Sequence, residues 1–360
     1  MGKIIKFTLI SFFLITLFSS SLQAKDYTKK WAVKIFINKM VKKHGLNKTH
    51  LNKLFKHVKM QRRALGIFNP KYRVKPKKVA KKTTSTKTPK RKWSKYNAKY
   101  GSWTRYEERL LTPAKIKLGA EYLYKHKDAF SKSYKDYGVP PEYVAAIIGV
   151  ESRYGIKRGT YPVFDTLTTL AFEPNRRNKY FKYELENLLL LARSQKINPK
   201  SIKGSYAGAI GLGQFMPSSY APFCVDCNED GIKSMQNDAD AIGSIANYLK
   251  KNGWKKWQPV AERVTFQGGK RYHGRKTGYK IKYSQTALKE LKLKYGTWNY
   301  KGRVRLIKLN RYRFDELWFG TDNFYVITRY NHDEHYAMVV HQLAQKLTRT
   351  YKKMYGELLR

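Results

Sequence analysis

In the run "EYVAAIIGVESRYG", residues 142–155, apolar positions fall on nearly every side of a helix. Tyr143, Ile147 and Val150 mark one face, and Val144, Ala145 and Ile148 cover much of the rest. Pro140 and Pro141 stand just before it, where a missing N–H does no harm, so the spacing predicts a helix opening near Pro141 or Glu142. A helix that is apolar nearly all round is a buried one. It therefore delivers Glu151, at its far end, into or beside a core. Apolar positions at helical spacing also run through residues 27–57 and break at Gly45, which predicts two short helices. From Trp103 to Trp254 the pattern stays helical, punctuated by Gly and Pro. From about Lys256 to Phe324 short alternating runs take over, "RVTFQGG", "KIKYS" and "RVRLIKLNRYRF", which predict strands of a small sheet. Residues 334–353 predict a closing amphipathic helix. The fold class is mainly α, in an α+β arrangement.

Composition adds a division. Between Lys71 and Tyr100 there are thirteen Lys and Arg and no acidic residue, with Thr, Ser and Pro in the gaps. Such a stretch cannot bury enough apolar surface to offset its ordering entropy, so residues 70–100 are expected to be a disordered basic linker. The expected organisation is an N-terminal helical segment (25–69), this linker, a helical core (101–255), a small β subdomain (256–325) and a C-terminal segment whose helix returns to the core (326–360).

Charge narrows the partners. Lys and Arg number 74 against 25 Asp and Glu, a formal net charge of +49, which calls for a polyanion: nucleic acid, anionic lipid or acidic cell-wall polymer. The opening "MGKIIKFTLISFFLITLFSSSLQAKD" has Lys3 and Lys6, an apolar stretch from about Phe7 to Phe18, and small or neutral residues from Ser21 to Ala24. It resembles a secretory signal peptide (1–24) cut after Ala24 and is too short and wrongly flanked for a spanning helix; an uncleaved anchor is the other reading. No cysteine lies near the cut, so lipid attachment is not expected and the mature protein is placed in the periplasm. Export sets nucleic acid aside. An anionic wall or outer-membrane surface then becomes the linker's expected partner, against the plain reading of a solvated spacer.

Candidate chemistry gathers in four places. Glu151 reads either as a solvated or ion-paired glutamate at a helix end, or as a general acid whose ionised form is disfavoured by desolvation. "GSYAGAIGLGQFMPSSY", residues 204–220, leaves backbone and Gln214 open to close approach; it lacks the spacing of a phosphate-binding loop. "DCNEDGIKSMQNDAD", residues 226–240, places Asp226, Asn228 and Asp230 at the first, third and fifth positions of an EF-hand-like loop, with Gly231 at the turn and the Ile232 carbonyl following. Its twelfth position is Asn237 instead of the usual Glu. Asp240 is either the ligand closing a lengthened calcium loop or an acidic residue in a helix's first turn. "ITRYNHDEHYAMVV" brings Tyr330, Asn331 and Tyr336 together, suited to a sugar ring or to simple packing.

Taken in order, "PPEYVAAIIGVESRYG", "GSYAGAIGLGQFMPSSY", "DAIGSIANYLKKNGW" and "FYVITRYNHDEHYAM" closely resemble the membrane-bound lytic murein transglycosylase B family, lysozyme-like enzymes that cleave peptidoglycan. The resemblance covers roughly Ser102 to Leu347, and more weakly the helices before the linker. It implies a lysozyme-like helical core with an additional helical subdomain and a small β subdomain. It makes Glu151, in the family's V-E-[ST]-R motif, the catalytic acid. Ser205, Gln214, Tyr106, Tyr248, Tyr330, Asn331 and Tyr336 match groove positions. Arg176 and Arg177 match a basic pair facing substrate carboxylates, against the alternative of plain surface charge. The loop 226–240 has the family's calcium-loop length, with calcium structural and no cofactor needed for catalysis. A monomer acting on glycan strands is expected. One residue would serve as acid, then base, as the muramyl C6 hydroxyl closes a 1,6-anhydro ring. The alternatives are a lysozyme-type hydrolase using water and a non-catalytic wall-binding protein. Two features depart from the family: the basic insert, and Cys224 and Cys227 in a C-x-x-C arrangement. Their spacing allows a local disulfide, while zinc lacks four good ligands.

Overall fold

The computed structural model describes residues 24–73, 100–294 and 298–357. All of the expected signal peptide except Ala24, and residues 74–99 of the expected linker, lie outside the described residues. The chain divides into two compact units, Met1–Met60 and Gln61–Arg360.

In the first unit, helices Trp31–His44 and Lys48–Lys56 follow a single turn at Tyr27–Lys29. The break falls at Gly45, which takes the left-handed conformation (φ 63°) that closes a helix with least strain. Asn47 then caps the second helix, accepting from the His50 amide at 2.8 Å. Val33, Phe36, Met40, Leu51 and Phe55 form the buried face.

The second unit starts earlier than composition suggests. Helix Arg62–Phe68 belongs to it, because the Gln61 amide donates to Thr169 Oγ1 (3.0 Å) and Asn69 Nδ2 to the Pro174 carbonyl (2.7 Å). Two ends of the expected linker are also structured: Pro70–Tyr72 forms a 3-10 turn, and the Arg271 guanidinium lies 3.9 Å from the Tyr100 ring centroid. The body is helical. Helix Glu334–Tyr355 packs against both Pro113–Lys125 and Pro141–Ser152, burying Met338, Val339, Leu343 and Leu347.

A two-stranded sheet pairs β1 (Tyr161–Pro162) with β2 (Lys203–Gly204). The four-stranded antiparallel sheet contains β3 (Ala261–Phe266), β4 (Leu291–Leu293), β5 (Arg305–Asn310) and β6 (Asp315–Gly320), in the order β4-β3-β6-β5. It carries its own cluster of Val264, Leu288, Leu291, Val304, Leu306 and Leu317. "KIKYS" is not a strand: within it only Tyr283 bridges, to Val304. The next helix, Asp322–Tyr330, runs across the expected boundary at residue 325.

Candidate active site

Helix Pro141–Ser152 ends one residue after Glu151, and Arg153 and Tyr154 both turn left-handed (φ 51° and 55°). The chain therefore leaves the helix axis at once. Tyr154 folds back over the helix, and a Cβ on Gly149 would stand 2.5 Å from its hydroxyl, so only glycine fits there. Glu151 itself is half-buried at the helix end. Desolvation pushes its carboxyl up from 4.5 to about 7, against the pull of one hydrogen bond from Tyr336. The Tyr336 hydroxyl donates to Glu151 Oε1 over 2.7 Å. Among the described residues no cation and no second carboxylate contributes to the shift.

Aromatic rings extend from that bond. Tyr336 stacks on Tyr330 with centroids 6.3 Å apart and planes 9° from parallel, and Tyr248 meets Tyr330 edge-on at 5.0 Å. Each hydroxyl has a fixed acceptor: Tyr330 donates to the Gly213 carbonyl (2.6 Å) and Tyr248 to that of Arg329 (2.6 Å). Burial pushes the Tyr330 and Tyr336 phenols well above their ordinary value. Tyr106 is pushed up to about 12, chiefly by burial and then by the charges of Asp333 and Glu151, against the downward pull of Arg109. These phenols remain neutral in the working range, so they line the site without adding charge. Asn331, by contrast, is exposed, ends helix Asp322–Tyr330, and among the described residues makes no hydrogen bond to Glu151.

The glycine-rich turn stands beside this wall. Ser205 Oγ accepts from the amides of Ala207 (3.3 Å) and Ala209 (3.0 Å), so it shapes the turn. Gln214 has a left-handed backbone (φ 51°), and its Nε2 donates to the carbonyls of Gly211 (2.7 Å) and Arg158 (3.2 Å). The Gln214 amide is thus anchored, not open as the run of small residues suggests. Gly211 (φ 74°) presses on the 226–240 loop: a Cβ there would meet the Met235 carbonyl at 2.1 Å, and the next amide, Leu212, donates to that same oxygen at 2.8 Å.

Arg176 and Arg177 are both exposed. The Arg177 guanidinium lies over the Tyr180 ring at 4.4 Å, at the start of helix Asn178–Ser194. Among the described residues neither arginine forms an ion pair with Glu151 or acts on its carboxyl.

In the loop, Asp226 accepts from the amides of Asp230 (3.2 Å) and Gly231 (2.7 Å), and Asn228 Nδ2 donates to Asp230 Oδ2 (2.8 Å). Asp240 has the helix-start role considered for it and also ties the loop together. It lies in the first turn of helix Asp238–Lys251, and its buried carboxylate accepts from the amides of Cys227 (2.8 Å) and Ser234 (2.8 Å) across the loop. Asn237, where a Glu was missing, is the helix N-cap, accepting from Ala239 and Asp240. The donor set of three carboxylates, one amide oxygen and the Ile232 carbonyl suits a hard cation such as calcium. As positioned, the carboxylates are turned onto loop amides, and among the described residues no three His, Cys, Asp or Glu side chains form a metal-holding group. Cys224 and Cys227 are buried and free, so the disulfide allowed by their spacing is not formed.

Sequence reasoning missed Arg158. Its NH1 donates to the Gln236 carbonyl (2.6 Å), its NH2 lies 3.9 Å from Asp238, and its own carbonyl takes Gln214. It ties the loop's end to the glycine-rich turn. One partner is local, since its Nε donates to the Gly155 carbonyl (3.1 Å), but the partners that tie loop to turn are distant in sequence, so nothing in the local pattern marks it. His335, 5.7 Å from both Trp103 and Tyr106, was missed for the same reason.

The family model described as the transglycosylase SLT domain matches residues 28–345. The chain is 38% identical over 320 residues to membrane-bound lytic murein transglycosylase B of Escherichia coli, covering 89% of this chain and 83% of that protein. Among solved structures it is similar to the Escherichia coli lytic transglycosylase SLT35 in complex with calcium, with 36% identity and a TM-score of 0.77, covering 91% of this chain and 96% of that one. It is also similar to the soluble lytic transglycosylase SltB1 of Pseudomonas aeruginosa, with 32% identity and a TM-score of 0.72, covering 88% of this chain and 98% of that one.

Proposed function

The chain belongs to the transglycosylase SLT family, and from that premise we propose that Glu151 carries its chemistry alone, as acid and then as base. The protein is a lytic transglycosylase acting on peptidoglycan, at the β-1,4 bond between N-acetylmuramic acid and N-acetylglucosamine. The observation that carries the assignment is a helix-end carboxyl held near pKa 7 by burial, with no second carboxylate acting on it. Near neutral pH a large share of Glu151 is protonated and can donate to the glycosidic oxygen as the C1–O bond breaks. The carboxylate left behind takes the proton of the muramyl C6 hydroxyl, whose oxygen attacks C1. The 1,6-anhydro ring closes, Glu151 is protonated again, and no water is consumed. Hydrolysis by two flanking carboxylates would need a partner for Glu151, and an internal hydroxyl gains instead from proximity.

The tyrosines supply positioning. Tyr336 holds the orientation of Glu151 through its hydrogen bond, while Tyr106, Tyr248 and Tyr330 offer neutral ring faces to the sugars. Ser205 and Gln214 give the groove its polar edge, Asn331 stands at the rim, and Arg176 and Arg177 reach peptide carboxylates from the surface. Asp226, Asn228, Asp230, the Ile232 carbonyl and Asp240 would hold calcium, whose contribution is structural: it would fix the loop on which Gly211 and Leu212 rest. The site of action is the periplasmic face of the envelope, where the basic segment 70–100 would be retained by anionic polymer or lipid. Among the described residues no helix is long and apolar enough to cross a membrane.

Mass spectrometry of digested sacculi tests the reaction. The expected muropeptides end in 1,6-anhydro-N-acetylmuramic acid and are lighter by one water than hydrolytic products. New muramyl ends that borohydride reduces would overturn the mechanism even with Glu151 essential.

A further inference from the structure

A cavity of about 530 Å³ lies between the end of helix Asn178–Ser194, strand β2 and the 226–240 loop. None of the groove residues lines it. Its size is that of a small-molecule site. The walls are mostly aliphatic, from Leu191, Ile197, Ile202, Ile210 and Ile232 with the Tyr220 ring, and of these Ile197 and Ile232 are 41% and 51% exposed. Lys203, Lys233 and Arg158 supply charge, and no Asp or Glu lines the cavity. Arg158 is engaged with Gln236 and Asp238. Lys203 and Lys233 are exposed and hold no ion pair among the described residues.

Most of the uncharged polar groups are also engaged. Gln195 Oε1 accepts from the Lys233 amide (3.2 Å), Ser201 Oγ donates to the Asn198 carbonyl (2.7 Å), and Ser234 Oγ accepts from the Gln236 amide (3.2 Å). A peptide would need free partners for its own amides. What remains available is apolar surface, aliphatic apart from the Tyr220 ring, and two ammonium groups. We propose that this cavity binds an anionic amphiphile, an alkyl chain ending in a carboxylate or phosphate, with the chain against the isoleucines and the anion between Lys203 and Lys233. Because Arg158 lines the cavity and its carbonyl holds Gln214, an occupant would lie one residue from the groove.

Calorimetric titration of the full chain tests this with laurate, dodecyl phosphate, dodecanol and inorganic phosphate. Laurate and dodecyl phosphate should bind one-to-one with Kd on the order of 10–100 μM, and dodecanol and inorganic phosphate at least about tenfold more weakly. Better binding of dodecyl phosphate than laurate would identify a phosphate headgroup, and the reverse a fatty acid. Lys203→Gln with Lys233→Gln, and separately Ile197→Glu, should each weaken laurate about tenfold or more. A photoreactive laurate should label the segments 191–203 and 232–236. Multiple weak sites, equal binding of dodecanol, unchanged binding in both variants, or labelling confined to other segments would overturn the proposal.

Discussion

Replacing Glu151 by Gln should make the protein more stable, by an amount that depends on pH in a defined way. The Glu151 carboxyl has an ordinary value of 4.5 and is pushed up to about 7 in the fold. A raised carboxyl pKa means that ionisation costs more in the folded state than in the unfolded one. Wild type therefore loses stability as pH rises from about 4.5 to 7, and the loss is complete above 7. Integrating the two titrations gives a cost of about 1 kcal/mol at pH 5, rising to about 3 kcal/mol at pH 7 and above. Glu151→Gln keeps the shape and an acceptor for the Tyr336 hydroxyl and cannot ionise, so the cost vanishes at every pH. The stability gap between variant and wild type should widen by about 2 kcal/mol from pH 5 to pH 8.5, roughly 3 °C in melting temperature. Differential scanning calorimetry at several pH values reads the gap, and turbidity of purified sacculi should show near-complete loss of lysis. A gap that stays flat with pH, or a variant less stable than wild type at pH 8.5, would refute the reasoning that burial holds the proton on Glu151.

Tyr336→Phe removes the hydrogen bond that, alone among the described residues, lowers the Glu151 carboxyl, so the alkaline limb of the kcat/KM profile should move up by about one pH unit, since a bond to a charged group is worth about 1.5–3 kcal/mol; a limb that stays in place would show that the bond does not act on the proton. Millimolar calcium should raise the melting temperature by mass action on the folded loop, and Asp226→Ala should abolish the rise; an unchanged melting temperature in wild type would return Asp226 and Asp240 to loop and helix-start roles alone. Gly211→Ala forces a Cβ to within 2.1 Å of a backbone carbonyl at positive φ, and urea unfolding should show a loss of about 3 kcal/mol, against none if the 226–240 loop can retreat.

What could be read from the sequence is what lies within one turn or one helix. The Glu151 helix was legible because its apolar positions and its prolines are contiguous, and the break at Gly45 because a left-handed cap needs glycine. "KIKYS" misled because alternation is a local property and a strand is not: without a neighbour in register, only Tyr283 finds a partner. Strand β6, "DELWFG", failed in the other direction. It lies between β3 and β5 and is buried along almost its whole length, so it does not alternate. The calcium loop shows the same limit. Its odd-numbered oxygens are visible in order, but the job of Asn237 as a helix cap appears only once the helix that it starts is in place.

The site extends this distinction from fold to chemistry. Glu151 comes from a local motif, yet its proton is held near neutral pH by the body of protein that buries it, against the pull of Tyr336, 185 residues away. In a chain with 74 Lys and Arg against 25 Asp and Glu, a carboxyl placed without design would feel nearby cations and be pulled below its ordinary value. Glu151 feels none among the described residues. Its nearest hydrogen-bonding neighbour is a phenol that stays neutral, so the wall can hold and orient the acid without ionising it. A lysine or arginine in place of any of these rings could still form hydrogen bonds, but its charge would favour the carboxylate and leave less acid at neutral pH. That is a physical reason for the site to be lined with tyrosine in a protein that is otherwise so basic.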